Sequence, residues 1–301
     1  MSGTNFASLS PEPDKRDESA IVIIPVPYDA TSTWLKGADR GPAALLEAST
    51  HIELYDIETG TEVCRKGILT DRPVTELSSP ARMVAAVQKR VSGHLANRKF
   101  PVVIGGEHSV SIGAAWAHSA KCKNLTVLQL DAHSDLQQQY RGSKYNHACV
   151  MARIKEVCPI VQVGIRSMAS AEKEHMDMNR TFFAEDICLR RNHASWIGEV
   201  VALLDSNVYI TVDLDVFDPS VVPSTGTPEP GGMGWYEVLR LMRRIFDKRN
   251  VVGFDVVELC PAEHNKAPDF LAAKLVYKML SYKSSPAGRR RPVFIGANSR
   301  I

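Results

Sequence analysis

The chain lacks several features that would direct it to a membrane, a nucleic acid or a secreted scaffold. No apolar run approaches the roughly 18 residues of a membrane span, and the amino-terminal stretch is polar and charged, without an apolar signal core. The six cysteines (Cys64, Cys122, Cys149, Cys158, Cys188 and Cys260) stand apart, with no C-x-x-C spacing. That pattern suits buried thiols in a reducing compartment better than a disulfide framework or a zinc knuckle. Charge of either sign is not in excess: 36 Lys+Arg against 34 Asp+Glu leave +2, so nothing in the balance points to nucleic acid or a membrane surface. Aromatics are few, at 7%, and no repeat or break in composition divides the 301 residues. These readings together predict one cytoplasmic domain over 1–301, with no nucleic-acid partner and no membrane partner.

Short apolar runs alternate with helical patterns along this length. The strand candidates are Ala20 to Val26, Pro101 to Ile104, the apolar start of Leu125 to Asp135, Ile160 to Val163, Thr181 to Ala184, Val208 to Val212 and Val251 to Val257. Between them lie helical patterns from Ala43, after Ser79-Pro80 (an N-cap followed by an N1 proline), after Ser109, from Ser195 to Leu204, from Trp235 to about Lys248, and from Asp269 to Tyr282. This order predicts an α/β fold: a three-layer α/β/α arrangement around a mostly parallel sheet. Residues 1–19, rich in Ser, Pro and charge, read as a loose lead-in. Residues 284–301, with Arg289-Arg290-Arg291, read as a disordered basic tail.

The stretch Leu125 to Asp135, LTVLQLDAHSD, organises the rest. It opens as a strand buried on both faces and ends in alternating metal-ligand residue types. In extended backbone Asp131, His133 and Asp135 would project to one side while Ala132 and Ser134 face away. Three other strand candidates also run into polar residues: one into Gly105-Gly106-Glu107-His108, one into Asp213-Leu214-Asp215, one into Glu258. Taken singly, each has a plainer reading: a helix-terminal histidine, turn-forming aspartates before Pro219, a rim carboxylate paired with a lysine. In a parallel sheet every strand ends at one rim, where ligands bind, and convergence of all four is what carries the signal.

His108, Asp131, His133, Asp135, Asp213 and Asp215 are too many for one zinc ion with three or four ligands. They suit two divalent ions roughly 3.5–4 Å apart, bridged by carboxylates. An oxygen-rich set with two imidazoles and no thiolate favours Mn²⁺, and the chemistry implied is hydrolysis by a metal-bound hydroxide.

GGEHS, DAHSD, DLDVFDPS and STGTPEPGG resemble the ureohydrolase family of arginase and agmatinase, over about Ile21 to Tyr282. TGTPEPGG, GSKYNHACVM and LVYKMLSY make the chain most similar to the agmatinase members. The resemblance implies the three-layer fold, two Mn²⁺ per chain, and hydrolysis of a small guanidino substrate to urea and an amine; for agmatine the amine is putrescine. It assigns His108, Asp131, Asp135 and Asp213 to one ion and Asp131, His133, Asp213 and Asp215 to the other. It makes His147 a proton relay to the leaving amine and Glu258 the acid that orients the guanidinium, and it implies homo-oligomers, trimers or hexamers. Asp135 would also hydrogen-bond the hydroxide.

Two departures bear on substrate. Glu107 stands where arginases commonly have Asp, which puts the geometry behind His108 in question. Gln137 stands where they place an Asn that helps hold arginine's α-carboxylate. The second argues for a decarboxylated substrate, although Arg141 and Lys144, pointing inward, would favour guanidinobutyrate. The rivals are therefore hydrolysis of guanidinobutyrate, guanidinopropionate, guanidine or arginine. Outside the reaction class stand a one-zinc deacetylase of related fold and a non-catalytic binding relative, which would carry a damaged ligand set.

Overall fold

The computed structural model describes residues 4–9, 19–189 and 195–285. Eight strands form one sheet: β1 (Ile21–Val26), β2 (Ile68–Thr70), β3 (Phe100–Gly105), β4 (Leu125–Leu130), β5 (Ile160–Ile165), β6 (Thr181–Phe183), β7 (Asn207–Asp213) and β8 (Asn250–Val257). Their order is β2-β1-β3-β8-β7-β4-β5-β6, and every pairing is parallel. The helices are α1 (Gly41–Ser49), α2 (Pro80–Ala96), α3 (Val110–Lys121), α4 (Val150–Ile154), α5 (Ala184–Leu189), α6 (Ser195–Leu203), α7 (Trp235–Lys248) and α8 (Ala267–Ser284).

Period-two alternation divides each strand between two cores. Ile21, Ile23, Val102, Ile104, Leu128 and Leu130 pack with α1, α6, α7 and α8 on one face. Val22, Ile24, Val103 and Val127 pack with α2, α3 and α4 on the other. Apolar residues on both sides of a strand are what a sheet covered by helices on both faces requires, and three layers follow. Ser79 caps α2 as its sequence predicts, its hydroxyl accepting from the Arg82 N–H at 3.3 Å, with Pro80 in the first turn.

The strand order sets the position of the site. After β3 the chain leaves a gap, crosses through α3, and lays β4 three places away; β8 and β7 later fill the space. The central neighbours β3, β8, β7 and β4 are the four strands whose ends carry His108, Glu258, Asp213 and Asp131. Their ends meet at a topological switch, where open parallel sheets bind ligands.

Some expectations need correction. β2 and the short α4 and α5 have too few residues to show periodicity and were not foreseen. The lead-in is not loose over residues 4–9: Phe6 is fully buried, its N–H donates to Thr70 Oγ1 at 2.9 Å, and the Ala7 N–H donates to Ser49 Oγ at 2.8 Å. From residue 286 the basic tail lies outside the described residues. Of the six thiols only Cys149 is buried, and Cys188 is exposed.

Candidate metal and active site

β4 stops at Leu130, so the run from Asp131 to Asp135 is not a strand and the same-side argument does not apply to it. The three side chains converge for another reason. The Asp131 carboxylate folds back over its own loop, Oδ1 accepting from the His133 N–H at 2.6 Å and Oδ2 from Gln129 Nε2 at 2.7 Å. Asp135 takes a left-handed backbone (φ 52°), and its carbonyl accepts from the N–H groups of Met151 and Ala152 at the start of α4. Similarly, Asp213 closes β7 while Asp215 sits in the following 3-10 turn, capped by Asp213 Oδ1 at 2.9 Å. The pair forms its turn and still sets Asp213 Oδ2 near His108 and Asp215 Oδ2 near His133.

Five of the six side chains, those of His108, His133, Asp135, Asp213 and Asp215, line a cavity of about 260 Å³, and Asp131 is buried against them. His108 Nδ1 lies 3.0 Å from Asp131 Oδ2, 3.0 Å from Asp135 Oδ2 and 3.5 Å from Asp213 Oδ2. His133 Nδ1 lies 2.8 Å from Asp215 Oδ2 and 3.6 Å from Asp131 Oδ1. Two ligand groups result, His108/Asp131/Asp213 and Asp131/His133/Asp215. Asp131 belongs to both and offers one oxygen to each.

The residues fit cations. His108 Nδ1 is fully buried and makes no hydrogen bond. Burial first, then neighbouring carboxylates, push Asp135 up to about 7 and Asp213 well above the usual carboxylate range. Burial acts the same way on Asp131, but His108 and His133 outweigh it and hold that carboxyl low. Negative charge crowded against lone-pair nitrogens, without Lys or Arg among the lining residues, calls for positive ions.

Behind His108 lies a chain of polar groups that sequence reasoning missed. His108 Nε2 meets Thr211 Oγ1 at 2.9 Å, which donates to Asp255 Oδ1 at 2.7 Å; Asp255 Oδ2 accepts from Tyr209 at 2.6 Å. All are buried. Fixing the far nitrogen orients Nδ1 toward the cluster. The inward alternation of Thr211 on β7 and Asp255 on β8, polar residues inside apolar strands, was the available signal.

Glu107 does not stand behind His108. Its buried carboxylate turns the other way and accepts from Thr31 N–H (3.1 Å), the Thr31 hydroxyl and the Ser109 hydroxyl (2.5 Å). Burial pushes it up to about 7 against the Ser109 and Thr31 hydrogen bonds. Gly106, just before it, passes so close to the strand β1 exit that a Cβ would sit 2.0 Å from the Tyr28 carbonyl oxygen.

Glu258 also adopts a left-handed backbone (φ 64°), an uncommon conformation for this residue. Its N–H donates to the Gly106 carbonyl at 2.8 Å and its Oε1 accepts from the His108 N–H at 2.7 Å. His147 borders the cavity, its Nδ1 3.1 Å from Thr31 Oγ1. Burial lowers its pKa to about 4. Gln137, Tyr140, Met168 and Thr227 complete the wall. Arg141 and Lys144 are exposed and do not line it. Arg166 ties two loops together: its guanidinium donates to the carbonyls of Asp215 (2.6 Å) and Glu229 (2.8 Å), joining the β7 exit to the loop over 225–232.

Residues 19–281 match the family model described as the arginase family. The N(1)-aminopropylagmatine ureohydrolase of Synechocystis sp. is 38% identical over 276 residues, covering 88% of this chain and 89% of that one. The agmatinase of Pyrococcus horikoshii is 30% identical, covering 92% and 96%. The crystal structure of agmatine ureohydrolase of Thermoplasma volcanium superposes with a TM-score of 0.83 at 30% identity, over 94% of this chain and 95% of that one. A match over nearly all of the described sheet and helices, together with the geometry at its switch point, makes this chain a member of the arginase family.

Proposed function

We propose that the chain is a cytoplasmic dimetal ureohydrolase that releases urea from a small guanidinoalkylamine. The observation that carries this reading is Asp131, buried against the residues that line one acidic cavity, with its two oxygens facing two separate imidazole nitrogens. His108, Asp131, Asp135 and Asp213 would hold one ion, and Asp131, His133, Asp213 and Asp215 the other. The ions, which we take as Mn²⁺ from the donor set, would supply hydroxide near neutral pH.

The chain's own groups do the rest. Glu258, anchored at Oε1 by the His108 N–H, has Oε2 left to accept guanidinium N–H groups and hold the carbon in place. Asp135, presented on its left-handed turn, accepts a hydrogen bond from the nucleophile. His147 takes a proton and returns it to the departing nitrogen, which must leave as an amine.

The wall sets the substrate class. Among the lining residues there is no lysine or arginine. A carboxylate-tailed substrate, arginine or guanidinobutyrate, would lose its hydration there without a partner, at several kcal/mol. A cationic tail loses hydration too, but against acidic lining residues that offset the loss, which supports agmatine, giving putrescine and urea. The names of relatives such as that of Synechocystis sp. support a second reading, N(1)-aminopropylagmatine, a longer member of the same class. We expect kcat/KM for the better of these two amines to exceed that for arginine and for guanidinobutyrate by at least about a hundredfold, roughly 2.7 kcal/mol. Equal rates on arginine would refute the class, and the ratio between the two amines chooses the member. We also propose a homo-oligomer, trimer or hexamer, supported by the exposed Trp34, Ile57 and Tyr236 (71–75% exposed); light scattering tests it.

A further inference from the structure

The role of Glu107 follows from where its carboxylate points. Thr31 reaches it from the loop after β1, a loop held in shape by Asp29, whose Oδ2 accepts from the N–H groups of Gly37 (2.7 Å) and Ala38 (3.2 Å). Thr31 Oγ1 stands between two partners. On one side is Glu107 Oε2; on the other are the His147 N–H and the His147 ring Nδ1, both at 3.1 Å. Glu107 Oε2 itself lies 3.8 Å from His147 Nδ1.

A threonine hydroxyl carries one proton. Every neighbour within hydrogen-bonding reach of Glu107 is a donor: the Thr31 N–H, the Thr31 hydroxyl and the Ser109 hydroxyl. Ionised, the Glu107 carboxylate is a stronger acceptor than an imidazole nitrogen, so the Thr31 proton goes to it. The oxygen is then left with lone pairs only. It accepts the His147 N–H, and it accepts the ring only if Nδ1 carries a proton.

We propose that Glu107, acting through Thr31, is the positioning carboxylate of His147: it holds the ring in the Nδ1–H tautomer with the Nε2 lone pair free for the reaction. This rests on reading His147 as the proton relay. The balance is simple. Nε2 takes a proton from the nucleophile or the attacked guanidinium, the ring becomes imidazolium, and the same proton leaves with the departing amine. While the ring is charged, the Glu107 carboxylate behind Thr31 stabilises it, as a buried carboxylate does in other histidine relays.

The test uses Thr31→Val, which keeps the shape and removes the hydroxyl, and Thr31→Ser, which restores it. In metal-free protein labelled with ¹⁵N-histidine, the His147 signals, identified by their loss in His147→Asn, should show a protonated Nδ1 in wild type and in Thr31→Ser. In Thr31→Val that preference should disappear. In metal-loaded enzyme, Thr31→Val should lower kcat at least about tenfold, leave KM within about twofold, and keep wild-type metal content. Thr31→Ser should recover most of kcat, and in a His147→Asn background Thr31→Val should cost nothing more. A wild-type ring protonated at Nε2 alone would overturn the inference, as would undiminished kcat in Thr31→Val. A wild type that hydrolyses no guanidino compound would refute the proposed function, and the tautomer measurement alone would then decide the role of Glu107.

Discussion

Asp131 illustrates how much a single side chain does here. Its backbone ends β4, its Oδ1 closes the next turn on the His133 N–H, and its two oxygens face His108 and His133 separately. Removing it should therefore disrupt both ligand groups. Asp131→Ala is expected to lose activity and most bound metal, measured by elemental analysis after dialysis. Asp213→Ala should lose activity with it, since Asp213 both faces His108 and caps the turn bearing Asp215. Retention of two ions in Asp131→Ala would contradict the bridging role. His147→Asn should behave in the opposite sense: turnover falls, while metal content stays near that of wild type, because the ring bonds Thr31 and stands in neither ligand group. Metal lost together with activity in that variant would make His147 a ligand or a support for one. The candidate ligands and His147 were legible because their residue types are specific to metal and proton chemistry. Thr31, Thr211 and Asp255 were not, because a threonine in a loop or strand and an aspartate in an apolar strand take their meaning only from what the fold sets against them.

At the scale of elements, strand ends do most of the positioning, and the cores on both faces keep them in register. The strands were readable from apolar runs, most within a residue or two of their observed ends, because both faces are buried and apolar residues dominate each run. The path beyond each strand end was not readable. Left-handed backbones at Asp135 and Glu258 aim those carboxylates, and local sequence does not announce them. The face of α3 against β7 carries a separate titration. His118 is buried, its Nδ1–H donates to the Ala114 carbonyl at 2.8 Å, and its ring packs 4.6 Å from that of Tyr209. Burial lowers its pKa from 6.5 to about 4. Between those values the unfolded chain binds a proton that the folded chain does not. Stability is thus fully present above pH 6.5 and declines as pH falls toward 4, by about 3 kcal/mol. Urea titrations of metal-free wild type and His118→Leu across that window should converge at low pH by this amount. Curves that stay parallel would show that His118 does not set the acid limb.

For the whole molecule, the sheet order joins fold to chemistry. Strands far apart in sequence become neighbours at β3-β8-β7-β4, and an acidic cavity forms where they end. Among the described residues no helix is long and apolar enough to cross a membrane. The order itself was not deducible from the chain, since the gap left after β3 is filled only by its last two long strands. The central claim is that this cavity works on guanidinium groups through a pair of ions. It is tested most directly by titrating fully metal-stripped protein with Mn²⁺ while following urea release from agmatine and from N(1)-aminopropylagmatine. The account predicts no urea without metal, and activity with at least one of the two amines that saturates at about two ions per chain. Full activity in the metal-free protein, or activity complete at one ion per chain, would contradict it.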